Sequence, residues 1–229
     1  MKVQRLRTRY GVSSDARHLG QRELVDAWQH ACDQGDVPLA YSEGKRPSPH
    51  ISIAAPLPQG VTSTCELLDL YLTVHLSPTD ALRRLSEHLP CGIKPLAAHE
   101  VGLNAPSLQS QVRVAEYVVD ASGVDTGAVR KAIAGTLSAR SLPSEYKREA
   151  RVKEYDLRPL ILDLRLDEGE GGPTVVMRLR AEPERSARAD QVVALLGLPE
   201  DAAIERTALE TEEVPVVLLA YRRSGETGV

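Results

Sequence analysis

Phenylalanine is missing from this 229-residue chain, and its aromatic side chains are seven tyrosines and one tryptophan, Trp28. An apolar core must therefore be built from Leu, Val, Ile and Ala. The scarcity also weakens one function in advance. A protein that binds single-stranded nucleic acid by stacking bases on rings needs more rings than this. No apolar run approaches the roughly 20 residues of a membrane-spanning helix. The opening Met1-Lys2-Val3-Gln4-Arg5 lacks the apolar centre of a signal peptide, so a cytoplasmic location is expected and no membrane partner.

Cysteine is equally sparse. Cys32, Cys65 and Cys91 are odd in number, far apart and without a CxxC pair, which speaks against zinc and iron–sulfur sites. Three reduced thiols are the expectation. All six histidines fall between His18 and His99, with no HExxH or HxH spacing. GxGxxG, GxxxxGK[ST] and GxSxG are absent too. No metal or cofactor is expected, and no enzyme signature stands out. What is present is 42% apolar and 26% charged residues with a net charge of −4. That composition is globular, and the length suits about two domains.

Strand and helix signals alternate along the chain. Residues 2–10 read as a strand with Arg5, Arg7 and Arg9 on one face. Residues 21–34 read as a helix that starts at Gly20 with Glu23 in a partial capping box and stops at Gly35. Short extended pieces follow at 37–41 and 50–54, around a Gly/Pro-rich loop. The run 65–76 is the clearest strand, with Leu68, Leu70, Leu72, Val74 and Leu76 on one face. Ser77-Pro78-Thr79-Asp80 then starts a helix, with Ser as cap and Pro at its first position. Residues 92–101 return as a strand. The order is β-α-β-β-α-β, and the second half is read as repeating it, with 111–119, 144–149, 158–167, 174–182 and 203–210 extended and helices at 125–138 and from about 187 to Gly197. The expected fold is α+β, with two tandem ferredoxin-like units of antiparallel sheet at 1–104 and 105–229. The tail after Val214 is apolar enough for one further strand.

In the usual order for such a unit, the first and third strands are central neighbours. That sets Arg5, Arg7 and Arg9 beside Asp69, Tyr71, Thr73 and His75. One reading is a cross-strand charge ladder. The other is a cationic platform for an anionic partner. Charge is also uneven further on. Residues 130–158 are basic, from Arg130 to Arg158, and 200–213 are acidic. The basic stretch reads either as a solvated edge paired with the acidic one or as an RNA contact. His18 and His50 flank loops, but neither has a visible acid or nucleophile beside it.

Several segments together are similar to one bacterial family. They are Arg5-Leu6-Arg7, His18-Leu19-Gly20, Val37 to Gly44, Pro49-His50-Ile51-Ser52, Ala55 to Val61, Lys153 to Ile161 and Ile204-Glu205-Arg206-Thr207. In order and spacing they resemble the radical-SAM-linked proteins, encoded beside or fused to a radical S-adenosylmethionine protein. The resemblance implies such a protein as partner. The cluster would belong to that partner, since this chain lacks the cysteines for one. Departures fall at Gln21, Lys45, Arg46 and Ser48, where the family pattern has histidine, phenylalanine, asparagine and histidine. Two cations thus replace uncharged residues in one loop. The expected function is a non-catalytic accessory or binding protein for an anionic substrate or partner surface. Arg5, Arg7, Tyr41, Lys45, Arg46 and His50 are the candidate contacts. The alternatives are an RNA-binding or RNA-processing protein, and a small-molecule enzyme using the 44–50 loop.

Overall fold

The computed structural model describes residues 1–148 and 151–212. The first half runs β1 (Gln4–Val12), α1 (Gln21–Gln34), β2 (Ile51–Ile53), β3 (Thr62–Leu72), α2 (Pro78–Ser86) and β4 (Ile93–Val101). A short α3 (Leu108–Gln111) leads into β5 (Val112–Asp120) and α4 (Thr126–Ser138). Next come β6 (Pro143–Arg148) and β7 (Arg151–Asp156), a 3-10 turn at Arg158–Leu160, β8 (Ile161–Gly169) and β9 (Gly172–Glu182). β10 (Arg185–Ser186), α5 (Ala189–Leu195) and β11 (Ile204–Thr211) complete the described chain. The class is α+β, as expected. The tail expected to add a strand lies outside the described residues.

Nine strands make one sheet, in the order β10-β9-β5-β11-β3-β1-β4, with β2 beside β3 and β8 beside β9. Within the first half β3 pairs antiparallel with β2 and β1, and β1 pairs antiparallel with β4. The second half repeats this arrangement: β9 pairs antiparallel with β8 and β5, and β5 with β11. Separate sheets for the two halves were expected, and the structure corrects this. β11 joins β3 in parallel, through Glu205 opposite Thr62 and Arg206 opposite Ser63. The reason is that β3 starts at Thr62, earlier than its leucine alternation suggests, and so offers its first residues to an otherwise open edge of β11. β3 also ends earlier, at Leu72, because the Thr73 amide turns away to the Pro38 carbonyl. Val74 is left 58% exposed.

Helices cover one face of this sheet. Leu6, Tyr10, Leu68, Leu70 and Leu72 pack on Leu24, Trp28, Ala81 and Leu85. Trp28 is fully buried, and its ring meets Tyr10 edge-on at 5.1 Å. In the second half Tyr117, Val119, Val175, Met177 and Leu179 pack on Val129, Ile133, Val192 and Val193. Aliphatic side chains do build both cores. The helix starts are readable one by one. Ser77 Oγ accepts from the Asp80 amide at 3.1 Å, and Glu23 reaches back to the Gly20 amide at 2.7 Å. The opposite face of the first half is not free. The connection through α3 lies over it, with Leu108 and Val112 buried against Ala54 and Ala55.

Candidate functional site

Alternation along β1 puts Arg5 and Arg7 on the face away from the helices. The expected pairing holds: Arg5 lies opposite Tyr71 and Arg7 opposite Asp69. Both guanidinium groups close on one carboxylate. Arg5 Nε and Nη2 donate to Asp69 Oδ2 at 2.8 and 2.6 Å. Arg7 Nε donates to Oδ1 at 2.9 Å and its Nη2 to Oδ2 at 3.1 Å. Asp69 is fully buried. The remaining Arg5 donors take the Ala105 and Pro106 carbonyls, and Arg7 Nη1 takes Gln111. Of the two readings of this face, the ladder fits Arg5 and Arg7, since both guanidinium groups are buried and closed on Asp69 instead of being presented to solvent as a platform needs.

The other candidates sit elsewhere. The Tyr41 hydroxyl donates to Asp33 at 3.3 Å. His50 leans edge-on against Tyr71, with ring centroids 6.1 Å apart. Lys2 Nζ lies 4.5 Å above the same Tyr71 ring. Burial first, then the Lys2 ammonium, lowers the His50 pKa. Lys45 and Arg46 are exposed in the 42–48 loop, closed by the Ser42 amide on the Ser48 carbonyl. The six candidates therefore do not converge. Their cations divide between a buried pair and an exposed loop. His18 is exposed, with its carbonyl accepting from Gln59. Among the described residues no group of His, Cys, Asp or Glu is placed to hold a metal ion. No described helix is long and apolar enough to cross a membrane.

One of the two readings of the basic 130–158 stretch pairs it with the acidic 200–213 stretch; where the described residues of the two stretches form ion pairs, they form them with other partners. Glu212, just past the end of β11, pairs with Arg113 of the neighbouring β5, and Glu210 of β11 pairs with Arg178 of β9, on the far side of β5. Arg130 pairs with Glu168, and Arg158 donates to the Leu137 and Ile161 carbonyls.

A larger site lies where the halves meet. A cleft of about 1010 Å³ is lined by the 54–61 connection and Arg17 of the first half, and by 186–190 and 200–206 of the second. At its floor are Arg206 and Tyr117. Arg206 is 1% exposed. Its Nε and Nη2 clamp Glu66 on β3, with Nε to Oε1 at 2.7 Å. Ser63 Oγ adds a 2.6 Å bond to the same carboxylate. Burial is the largest single influence on the Arg206 pKa and lowers it, but the Glu66 carboxylate and the Tyr117 phenol together outweigh it, leaving the pKa raised. Burial raises the Tyr117 phenol. Sequence reasoning passed over this pair. Its one signal was the Ile204-Glu205-Arg206-Thr207 segment, noted only for its family likeness. The contact joins residues 140 apart in the chain, and no local pattern reports that.

Fold and site together describe an α+β protein of two similar halves with a cleft between them. The chain belongs to the DUF2344 family, described as an uncharacterized protein conserved in bacteria, whose model matches residues 5–189. That description contains no radical SAM association, which rests on the resemblance alone. No curated protein matches the chain. Among solved structures, a chain of the crystal structure of a Cbf5-Nop10-Gar1 complex matches at 13% identity and a TM-score of 0.41. The match covers 83% of this chain and 45% of that one, so this chain spans under half of that chain's length.

Proposed function

We propose that this protein is a non-catalytic binding protein that works beside a radical SAM partner, and that the cleft between its halves holds a segment of that partner or its substrate. The observation that carries the reading is the cleft itself. It is about 1010 Å³, its walls come from both halves, and its floor is fixed by the buried Arg206–Glu66 pair. Sites of this size favour the junction of two units. We read each half as a ferredoxin-like unit, divided near 104–105, because each half orders its strands fourth, first, third, second. The anionic ligand expected from sequence loses Arg5 and Arg7 to Asp69. Lys45 and Arg46 remain for it, outside the cleft. A cytoplasmic location suits such a partner.

The test is co-purification from the native host, followed by hydrogen exchange on the complex. Protection of 54–61, 186–190 and 200–206 is the expected result. A chain that captures no radical SAM protein, or a complex that leaves those segments unprotected, overturns the reading.

One observation favours RNA as a second reading. The strands β6 and β7 pair only with each other among the described residues, and their sequence carries Lys147, Arg148, Arg151 and Lys153. Gln191 of α5 ties this hairpin to the cleft side, donating to the Glu145 carbonyl at 2.7 Å. Binding of a labelled RNA across a salt series decides it. Affinity that falls steeply with salt supports the reading, and no affinity at low salt removes it.

A further inference from the structure

The fold leaves donors unused on the floor of the cleft. Arg206 brings five N–H groups. Nε and Nη2 are spent on Glu66 and on the Ala55 carbonyl at 3.0 Å. Nη1 reaches only the Pro56 carbonyl and the Tyr117 hydroxyl, each at 3.5 Å. Both lie beyond the ordinary range of about 2.7–3.2 Å for such a bond. The Tyr117 hydroxyl accepts that contact and donates to nothing among the described residues. Tyr117 is 5% exposed. Two donors with weak or no protein partners therefore line one cleft from a nearly dry floor.

Their chemistry narrows the ligand. Glu66 neutralises Arg206, so an incoming carboxylate or phosphate meets a negative charge directly behind its donor. An uncharged acceptor oxygen meets no such penalty. The rim has a sign as well. Arg188 is paired with Asp190, and Glu182 with Arg180. Glu200 and Asp201 are exposed with no cation on them among the described residues, against one uncommitted cation, Arg17. The rim leans negative.

We propose that the cleft takes an extended basic polypeptide segment. A main-chain carbonyl oxygen of the segment seats on Arg206 Nη1 and Tyr117 Oη, and its lysine or arginine side chains face Glu200 and Asp201. A nucleic acid brings phosphates to the same two carboxylates, which is why a peptide is the better fit. The inference rests on the reading of the cleft as the ligand site.

The experiment is fluorescence polarisation with the intact chain and three labelled probes. They are a decapeptide of alternating Ala and Lys, one of alternating Ala and Glu, and a decauridylate. The Lys peptide is expected to bind best. Replacing both rim acids (Glu200→Gln with Asp201→Asn) is expected to weaken it by about tenfold. Tyr117→Phe is expected to weaken it by about fivefold, the worth of one hydrogen bond. Circular dichroism checks the fold of each variant, and the exposed Glu200/Asp201 pair still decides the matter if Tyr117→Phe misfolds. No binding of the Lys peptide, or binding indifferent to all these changes, overturns the inference. If the Glu peptide or the decauridylate binds better and loses affinity in Tyr117→Phe, the cleft stands as the ligand site and the peptide assignment falls. If no probe responds to any cleft variant, both fall.

Discussion

Asp69 holds two guanidinium groups at once, and among the described residues neither arginine pairs with another carboxylate. Asp69→Ala leaves Arg5 and Arg7 buried without their counter-charge. Breaking a buried ion pair from one side costs about 3–5 kcal/mol, so the variant is expected to lose at least that much in urea denaturation. Sequence supplied the neighbours here, because a period of two fixes which β1 residues share a face. It did not supply the covering. Pro106 and Gln111 reach Arg5 and Arg7 from about a hundred residues away, and only the folded connection shows that the face is closed. The cysteines divide in the same way. Burial raises Cys32 to about 12 and, as the largest cause, Cys65 to about 11. At pH 8 roughly a thousandth of Cys65 is then thiolate. Iodoacetamide at that pH is expected to label exposed Cys91 first, Cys65 slowly and Cys32 only on unfolding, read by mass spectrometry of peptides.

At the scale of elements, the clearest sequence signals were caps and alternation. Ser77-Pro78-Thr79-Asp80 marks the start of α2, and the structure places Ser77 at the N-cap with a bond to the Asp80 amide. Ser77→Ala is expected to cost about 1 kcal/mol, measured by the shift of the denaturation midpoint. Elements without a periodic pattern were missed. The hairpin partner β7 is one, since Arg-Val-Lys-Glu-Tyr-Asp shows no clean apolar face. The short α3 is another, held by the Ser107 cap. Asp156 closes the base of the hairpin, with Oδ1 accepting from the Leu142 amide at 2.8 Å and the Arg158 amide at 3.0 Å. The Leu142 bond is the chief cause of its lowered pKa. A carboxylate with a lowered folded pKa adds stability above its unfolded pKa and loses it as pH falls through the folded one. Hydrogen exchange at Leu142 and Arg158, corrected for intrinsic rate, is therefore expected to speed up below about pH 4, near the ordinary Asp pKa. Asp156→Asn is expected to show the faster exchange already at neutral pH.

For the whole molecule, the α+β class was legible in the mix of strand and helix signals, and the joining of both halves in one sheet was not. The join is set by β11, β3 and the Glu66–Arg206 pair, which no local pattern encodes. This pair invites a double-mutant cycle. Arg206→Ala strands Glu66 and is expected to cost about 3–5 kcal/mol, whereas Glu66→Leu with Arg206→Met is expected to cost less than the two single changes summed. Equal costs would mean that the two groups act independently. The parallel ladder between β3 and β11 has only two register pairs. It is as narrow as the strip between β9 and β10, while the long pairs β1–β3, β1–β4, β5–β9 and β5–β11 are stitched over most of their length. Side chains brace the join instead: the Thr62 and Ser63 hydroxyls reach the Ile204 and Arg206 carbonyls, and Arg206 reaches back to Glu66 and Ala55. One residue therefore serves both as a seam between the halves and as part of the cleft floor, so a change at Arg206 touches the two together.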